Sequence, residues 1–302
     1  MEKRVEELLP CQYFHVVFTL PAEIKAVMLQ NQRVCYDLLF KAASQTIKKV
    51  SKGGGSIGVL HTWAQNLLDH PHVHFIVPGG ALSENRNEWT SCKEDFFAPV
   101  RVLSKVFRGK FLSMMEAVFD EDKLKFFGDC EHLKQKMFFD EVMVQCAGKE
   151  FVVYAKEPFA GPKQVIDYLG RYIHRIAISN YRLVSLVGDM LTFKVRDKND
   201  PKKKKMMTLH VKEFMRRFLL HVLPRGFVRI RHFVILGNRF KKKNISLIRK
   251  LCGIIQKSVT RAKESWKDHL LRTTGIDINM CRKCEKGIME EVTQMPLLLS
   301  TA

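Results

Sequence analysis

The chain has 302 residues, 46% of them hydrophobic and 10% aromatic, enough apolar material for one large domain or two ordinary ones, which excludes a disordered tail. Its 51 Lys and Arg against 31 Asp and Glu leave a formal charge of +20, so the expected partner is a polyanion, either nucleic acid or an anionic membrane surface. No stretch approaches the roughly 18 apolar residues of a membrane span, and the opening "MEKRVEELLPC" alternates charged and apolar residues unlike a secretory signal, so a soluble, cytoplasmic protein without membrane contacts is expected.

In chain order, "QYFHVVFTLP" (12–21) reads as a strand closed by proline, and residues 22–50 carry helical periodicity from Ile24 through Leu38, Leu39 and Ala43. "SKGGGS" (51–56) is a glycine-rich loop without the GxxxxGK[ST] pattern that cradles phosphate. "IGVLHTW" (57–63) and "HPHVHFIVPGG" (70–80) then form two strands about a short connection, an antiparallel hairpin. From about 85 to 150 the sequence is charged and helical, with Phe107, Phe111, Leu112, Met115 and Val118 along one face. "FVVYAKEPF" (151–159) is a strand, and "GPKQVIDYLGRYIHR" (161–175) is a helix opened by Pro162. "YRLVSLVGDMLTFKVRD" (181–197) is a hairpin turning at Gly188-Asp189, followed by a lysine-rich loop (202–205), an amphipathic helix (210–222) and the strand "GFVRIRHFVILG" (226–237). No internal repeat is evident, and the prominence of hairpins argues for an α+β fold with a mainly antiparallel sheet.

Two constellations carry chemistry. His72 and His74 alternate with Val73, so on a strand they share one face about 7 Å apart and can grip one ion, given one or two further donors. The nearest are His61, Gln65 and Asp69, while His70, standing before Pro71, falls ahead of the ladder. On the residues alone, such a pair is as readily two strand histidines bonded to backbone. Tyr168 and Tyr172 lie four apart on the predicted helix, with Arg171 and Arg175 as a second such pair. Two tyrosines one turn apart usually pack. Beside a metal, with arginines to lower a phenol pKa that is ordinarily near 10, they become candidate nucleophiles.

The blocks "YFHVVFTLP", "HTWAQNLLDHPHVHFIVPGGALS", "VIDYLGRYIHRIAISNYRL" and "RHFVILGNRF", spread over roughly residues 12–245, together resemble the two-tyrosine HUH rolling-circle transposases of bacterial insertion sequences, the IS-ninety-one-like group. The resemblance implies a ferredoxin-like sheet of the HUH endonuclease type whose central strand bears the histidines. A catalytic domain is expected over 1–245, with the helical stretch at about 85–150 as an insertion or a helical layer, followed by a small helical extension over 246–302. By the same resemblance His72 and His74 are metal ligands, Tyr168 and Tyr172 are nucleophiles, and Gln65, seven residues before His72, is taken as the third ligand. The resemblance further implies Mg²⁺ or Mn²⁺ as the ion, single-stranded DNA at the element ends as the substrate, transesterification through a 5′-phosphotyrosine as the reaction, and a bacterial cytoplasmic protein that joins the nucleoid when bound to DNA.

Lys203, Lys204, Arg239, Lys241 and Lys242, with Arg171 and Arg175, are the cations expected to meet phosphates, and Tyr181 and Phe240 the residues on which bases stack. Family members carry an N-terminal zinc-binding cluster. Here Met1 precedes the first strand by some ten residues and Cys11 stands alone, so a shortened form is expected. Of the eight cysteines only Cys281 and Cys284 stand at ligand spacing, half of a four-cysteine Zn²⁺ site, with His269 a conceivable addition. Two other readings stay open: an inactive DNA-binding remnant, and a metal-dependent hydrolase in which the tyrosines merely pack.

Overall fold

The computed structural model describes residues 8–94, 96–156, 159, 164–165, 177–197, 200, 203–254, 265–284 and 286–289. Its organising element is a five-stranded antiparallel sheet in the order β10-β2-β3-β1-β6, built from β1 (Tyr13–Thr19), β2 (Ser56–Trp63), β3 (Asp69–Pro78), β6 (Val153–Lys156) and β10 (Ile230–Phe233). Strand alternation divides the side chains cleanly. Phe14, Val16 and Phe18 of β1, Leu60 of β2 and Val73, Phe75 and Val77 of β3 point to one face, where they are buried in the largest core cluster. That face is covered by α2 (Gln32–Val50), α3 (Val100–Asp120) and α4 (Lys136–Ala147), which contribute Leu39, Phe40, Phe107, Phe111 and Phe139. The helices of the segment expected as an insertion or a helical layer thus form a layer of the core, and the strand pair β4 (Gly80–Leu82) and β5 (Trp89–Ser91) leads into them.

The periodic stretch 22–50 is not one helix. A turn of 3-10 helix and α1 (Lys25–Gln30) end at Asn31, where the backbone leaves helical geometry before α2 begins. The Asn31 side chain holds that break, donating to the Lys125 carbonyl at 2.8 Å and accepting from the Lys125 amide at 2.7 Å. Apolar spacing survives such a break, so sequence period alone does not reveal it.

A second, three-stranded antiparallel sheet follows the order β7-β8-β9 (Leu183–Val187, Met190–Arg196, Lys204–His210). Its β9 includes Lys204 and Lys205, placed by sequence in a loop. They pair with Arg196 and Val195, and Phe193 and Val195 anchor the sheet in a cluster with Leu67, Ala177, Ile178 and Phe214 of α5 (Val211–Leu219). Leu67 occupies the β2–β3 turn. The second sheet and the α5 region thus buttress that turn, through Arg182 to the Gln65 carbonyl, Arg217 to the Asn66 carbonyl and His221 Nε2 to the Leu67 carbonyl.

The chain divides into compact units at 1–255 and 256–302. The first runs beyond the expected boundary at 245 because α6 (Lys241–Leu251) buries Ile245 and Ile248 against Ile76, Ile235 and Leu236. In the second, α7 (Trp266–Thr274) is capped by Ser265 Oγ, which accepts from the Asp268 amide at 3.2 Å, and is ended by Gly275 in the left-handed region at φ 72°.

Candidate metal centre

The face of the main sheet opposite the helices is lined with histidine. His72 lies directly across from His61 on β2 and from Thr19 on β1, while His74 faces Val59 and Val17. Since directly opposed side chains sit about 5 Å apart and diagonal ones remain within reach of rings, this register gathers His61, His72 and His74 into one group. Their ligand-capable nitrogens all fall within 4.8 Å of one another, the one such group of three or more His, Cys, Asp or Glu among the described residues. His61 and His74 are 3% and 9% exposed, and His72 is half-buried.

The hydrogen bonds sort the nitrogens. His72 Nδ1 lies 2.6 Å from the His70 carbonyl, an acceptor only, so Nδ1 carries the proton and Nε2 presents its lone pair. His74 Nδ1 lies 2.9 Å from Nε2 of His15, a β1 residue coplanar with it to within 3°. A ligand histidine commonly gives its second nitrogen to such a partner, which fixes tautomer and ring orientation. Burial lowers the pKa of both His15 and His72 to about 4, with Lys156 pressing further on His15, which it faces across β1 and β6. Near neutral pH these imidazoles are uncharged, the state a metal requires. The donor set present therefore fits a divalent ion.

The other sequence candidates are placed as follows. Gln65 sits exposed in the β2–β3 turn, while His61, which β2 carries directly opposite His72, joins the histidine group. Asp69 is buried but alternates to the far face. There its carboxylate oxygens have no hydrogen-bond partner, and burial raises its pKa to about 6 against the opposing influence of Lys25. His70 belongs to β3 but is exposed, and it serves the centre through its carbonyl. Tyr168, Arg171, Tyr172 and Arg175 lie outside the described residues. Lys203, Lys204, Arg239 and Lys242 are exposed, whereas Lys241, at the start of α6, is buried and not presented to a polyanion. Phe240 is half exposed under the Arg239 guanidinium.

Sequence reasoning missed His15 as a member of the site. The signal was its parity on β1, legible only once the β1–β3 register is known. In the second unit, Cys284 Sγ accepts from the Gly287 amide at 3.3 Å, and backbone amides lower its pKa, but among the described residues no third donor joins Cys281 and Cys284. His269 Nδ1 is instead 3.0 Å from the Arg272 guanidinium.

The chain thus joins a buried histidine centre on an antiparallel sheet to a strongly basic charge, which suits a protein that handles a polyanion. Residues 55–244 match the family Y2_Tnp, described as "Putative transposase", and the chain belongs to this transposase family. It is 45% identical over 298 residues to the putative transposase y4qJ of Sinorhizobium fredii (strain NBRC 101917 / NGR234), a match covering 96% of this chain and 75% of that protein. It is 26% identical over 234 residues to the transposase for insertion sequence element IS801 of Pseudomonas savastanoi pv. phaseolicola, covering 76% of this chain and 55% of that one. Among solved structures it is similar to the conjugative relaxase TrwC complexed with a 27-mer DNA comprising the recognition hairpin and the cleavage site, at 8% identity and a TM-score of 0.29, over 79% of this chain and 73% of that one. A metal-bound structure of TrwC in complex with oriT DNA matches at 8% identity and a TM-score of 0.29, over 80% and 72%.

Proposed function

We propose that the protein cuts and rejoins single-stranded DNA in rolling-circle transposition by tyrosine transesterification at the histidine centre. The observation that carries this reading is the buried triad His61, His72 and His74 in a chain of a transposase family whose sequence also bears Tyr168 and Tyr172, four residues apart. His61, rather than Gln65, is proposed as the third ligand. Of the two expected ions, three imidazoles hold Mn²⁺ better than oxygen-seeking Mg²⁺, although nitrogen ligands bind later transition ions such as Zn²⁺ more tightly still. When bound, the ion supplies Lewis-acid polarisation of the non-bridging oxygens of the scissile phosphodiester.

The protein's own part is nucleophilic. The phenol of Tyr168 or Tyr172 gives up its proton to water, eased by the charge of Arg171 and Arg175, its near neighbours in sequence, and its oxygen attacks phosphorus. The P–O3′ bond breaks, and the leaving 3′ oxygen takes a proton from water, giving a free 3′-OH and a 5′-phosphotyrosine. The energy of the broken ester is kept in the new one, so no nucleotide cofactor is consumed. A second tyrosine can then cleave another strand while the first remains loaded.

Incubation with labelled single-stranded element ends and Mn²⁺, followed by a denaturing gel, tests this. A covalent protein–DNA band is expected, abolished by EDTA and by the double variant Tyr168→Phe/Tyr172→Phe. DNA retention without any covalent band identifies a binding remnant, and cleaved DNA free of protein identifies a hydrolase. Either result sinks the transesterification.

A further inference from the structure

The second sheet has a consequence for substrate binding. Between it and the β2–β3 turn lies a hollow of about 380 Å³, lined among others by Trp63, Tyr181, Arg182, Lys194, Arg196 and Lys204, a size in the range of small-ligand sites. It holds four cations, and no Asp or Glu is among its described lining residues. Nearby carboxylates lie against neighbouring lysines, Asp197 with Lys205 at 2.7 Å and Asp200 with Lys203 at 3.7 Å.

Two features point to the ligand. Arg196 and Lys204 are direct cross-strand partners, and like charges so opposed destabilise a sheet unless an anion lies between them. Two aromatic rings border the same space. Tyr181 is 66% exposed, with Lys204 Nζ 5.5 Å above its ring. Trp63 stacks one face on His61, centroids 4.7 Å apart, and its indole thereby joins the hollow to the metal centre. Arg182 is braced between the walls, Nε donating to the Lys194 carbonyl at 2.8 Å and its other end to the Gln65 carbonyl at 2.5 Å.

We propose that this hollow binds one nucleotide of single-stranded DNA next to the phosphodiester at the metal centre, with its base against Trp63 and Tyr181 and its phosphate between Arg196 and Lys204. The inference rests on the reading of the histidine centre as the place of DNA cleavage. Stacking on a protein ring requires an unpaired base, so the hollow selects single strands over duplex and does so with little sequence preference.

The test is fluorescence anisotropy of the full chain with a labelled single-stranded oligonucleotide and with its duplex, over a range of salt, in the presence of Mn²⁺. Trp63→Ala and Tyr181→Ala are each expected to weaken single-strand binding roughly tenfold, with Trp63→Phe retaining most of the affinity. The variant Arg196→Ala/Lys204→Ala should lower affinity and flatten its logarithmic salt slope by about 0.7, the share of the one phosphate held between them. Duplex affinity should change less than about twofold for the aromatic variants, since paired bases do not reach the rings. Unchanged single-strand affinity in Tyr181→Ala and in the double cation variant overturns the proposal, as does an equal loss on duplex. Mn²⁺ binding by electron paramagnetic resonance shows whether Trp63→Ala has disturbed His61, and if it has, Tyr181→Ala decides the matter. Failure of the transesterification would show as a missing covalent band with these affinity differences intact; failure of the hollow would leave the band and remove the differences.

Discussion

His74 is held to its ring orientation by His15, and this single 2.9 Å bond carries a clear expectation. Removing the partner of a ligand imidazole typically lowers metal affinity about 10- to 100-fold, so His15→Ala should do so while His15→Gln, which keeps an acceptor on β1, restores part of it. Mn²⁺ titration followed by electron paramagnetic resonance measures both without any DNA present; equal affinity in His15→Ala would rule out the positioning role. Asp69 behaves differently. Its folded pKa of about 6 exceeds the ordinary value of 3.8, so the folded chain binds the proton more tightly than the unfolded one, and stability is lost as pH rises through that interval. Asp69→Asn should accordingly stabilise the chain by about 2 kcal/mol at pH 7, with the gain vanishing below about pH 4, as read from denaturant midpoints at the two pH values. At this scale the sequence was informative about types and parity. It marked His72 and His74, but the presence of His61 beside them turned on which side chain lies across the ladder, a long-range relation that spacing along the chain does not encode.

The β2–β3 hairpin is the element that makes the centre, since it supplies all three histidines and its register sets them opposite one another. Its packing is tight on the reverse side. A Cβ at Gly58 would lie 2.8 Å from the Phe75 ring and 3.0 Å from that of Phe40, both buried beneath the sheet. Gly58→Ala should therefore cost roughly 1–3 kcal/mol by overpacking, seen as a lower denaturant midpoint with an unchanged slope, and it should weaken Mn²⁺ binding if the strands shift. An unaltered midpoint would mean that the aromatic layer yields freely. Hairpins and amphipathic helices were legible because strand alternation and helical period are local. The break at Asn31 was not, because its cause is Lys125, 94 residues away. The extension of β9 over Lys204 and Lys205 was hidden for a related reason: a lysine run reads as solvated loop until a neighbouring strand supplies its hydrogen bonds.

For the whole molecule, charge and architecture act together. At +20, binding to single-stranded DNA should fall steeply with salt. About six phosphate contacts would give a logarithmic slope near −4, and a slope near zero would mean that the charge faces solvent without meeting DNA. Among the described residues no helix is long and apolar enough to cross a membrane. The amino-acid sequence by itself determined the basic character, the α+β alternation, the histidine pair, the tyrosine pair and, through long matching blocks, the transposase family, because composition, local period and motif spacing are all written along one dimension. The tertiary structure alone decided that His61 gathers with His72 and His74, that His15 bonds to His74, that Asp69 faces away and that a cationic, aromatic hollow adjoins Trp63. Those depend on which strands become neighbours and in what register, and that is settled by the burial of apolar surface across the whole sheet rather than by any short stretch of residues.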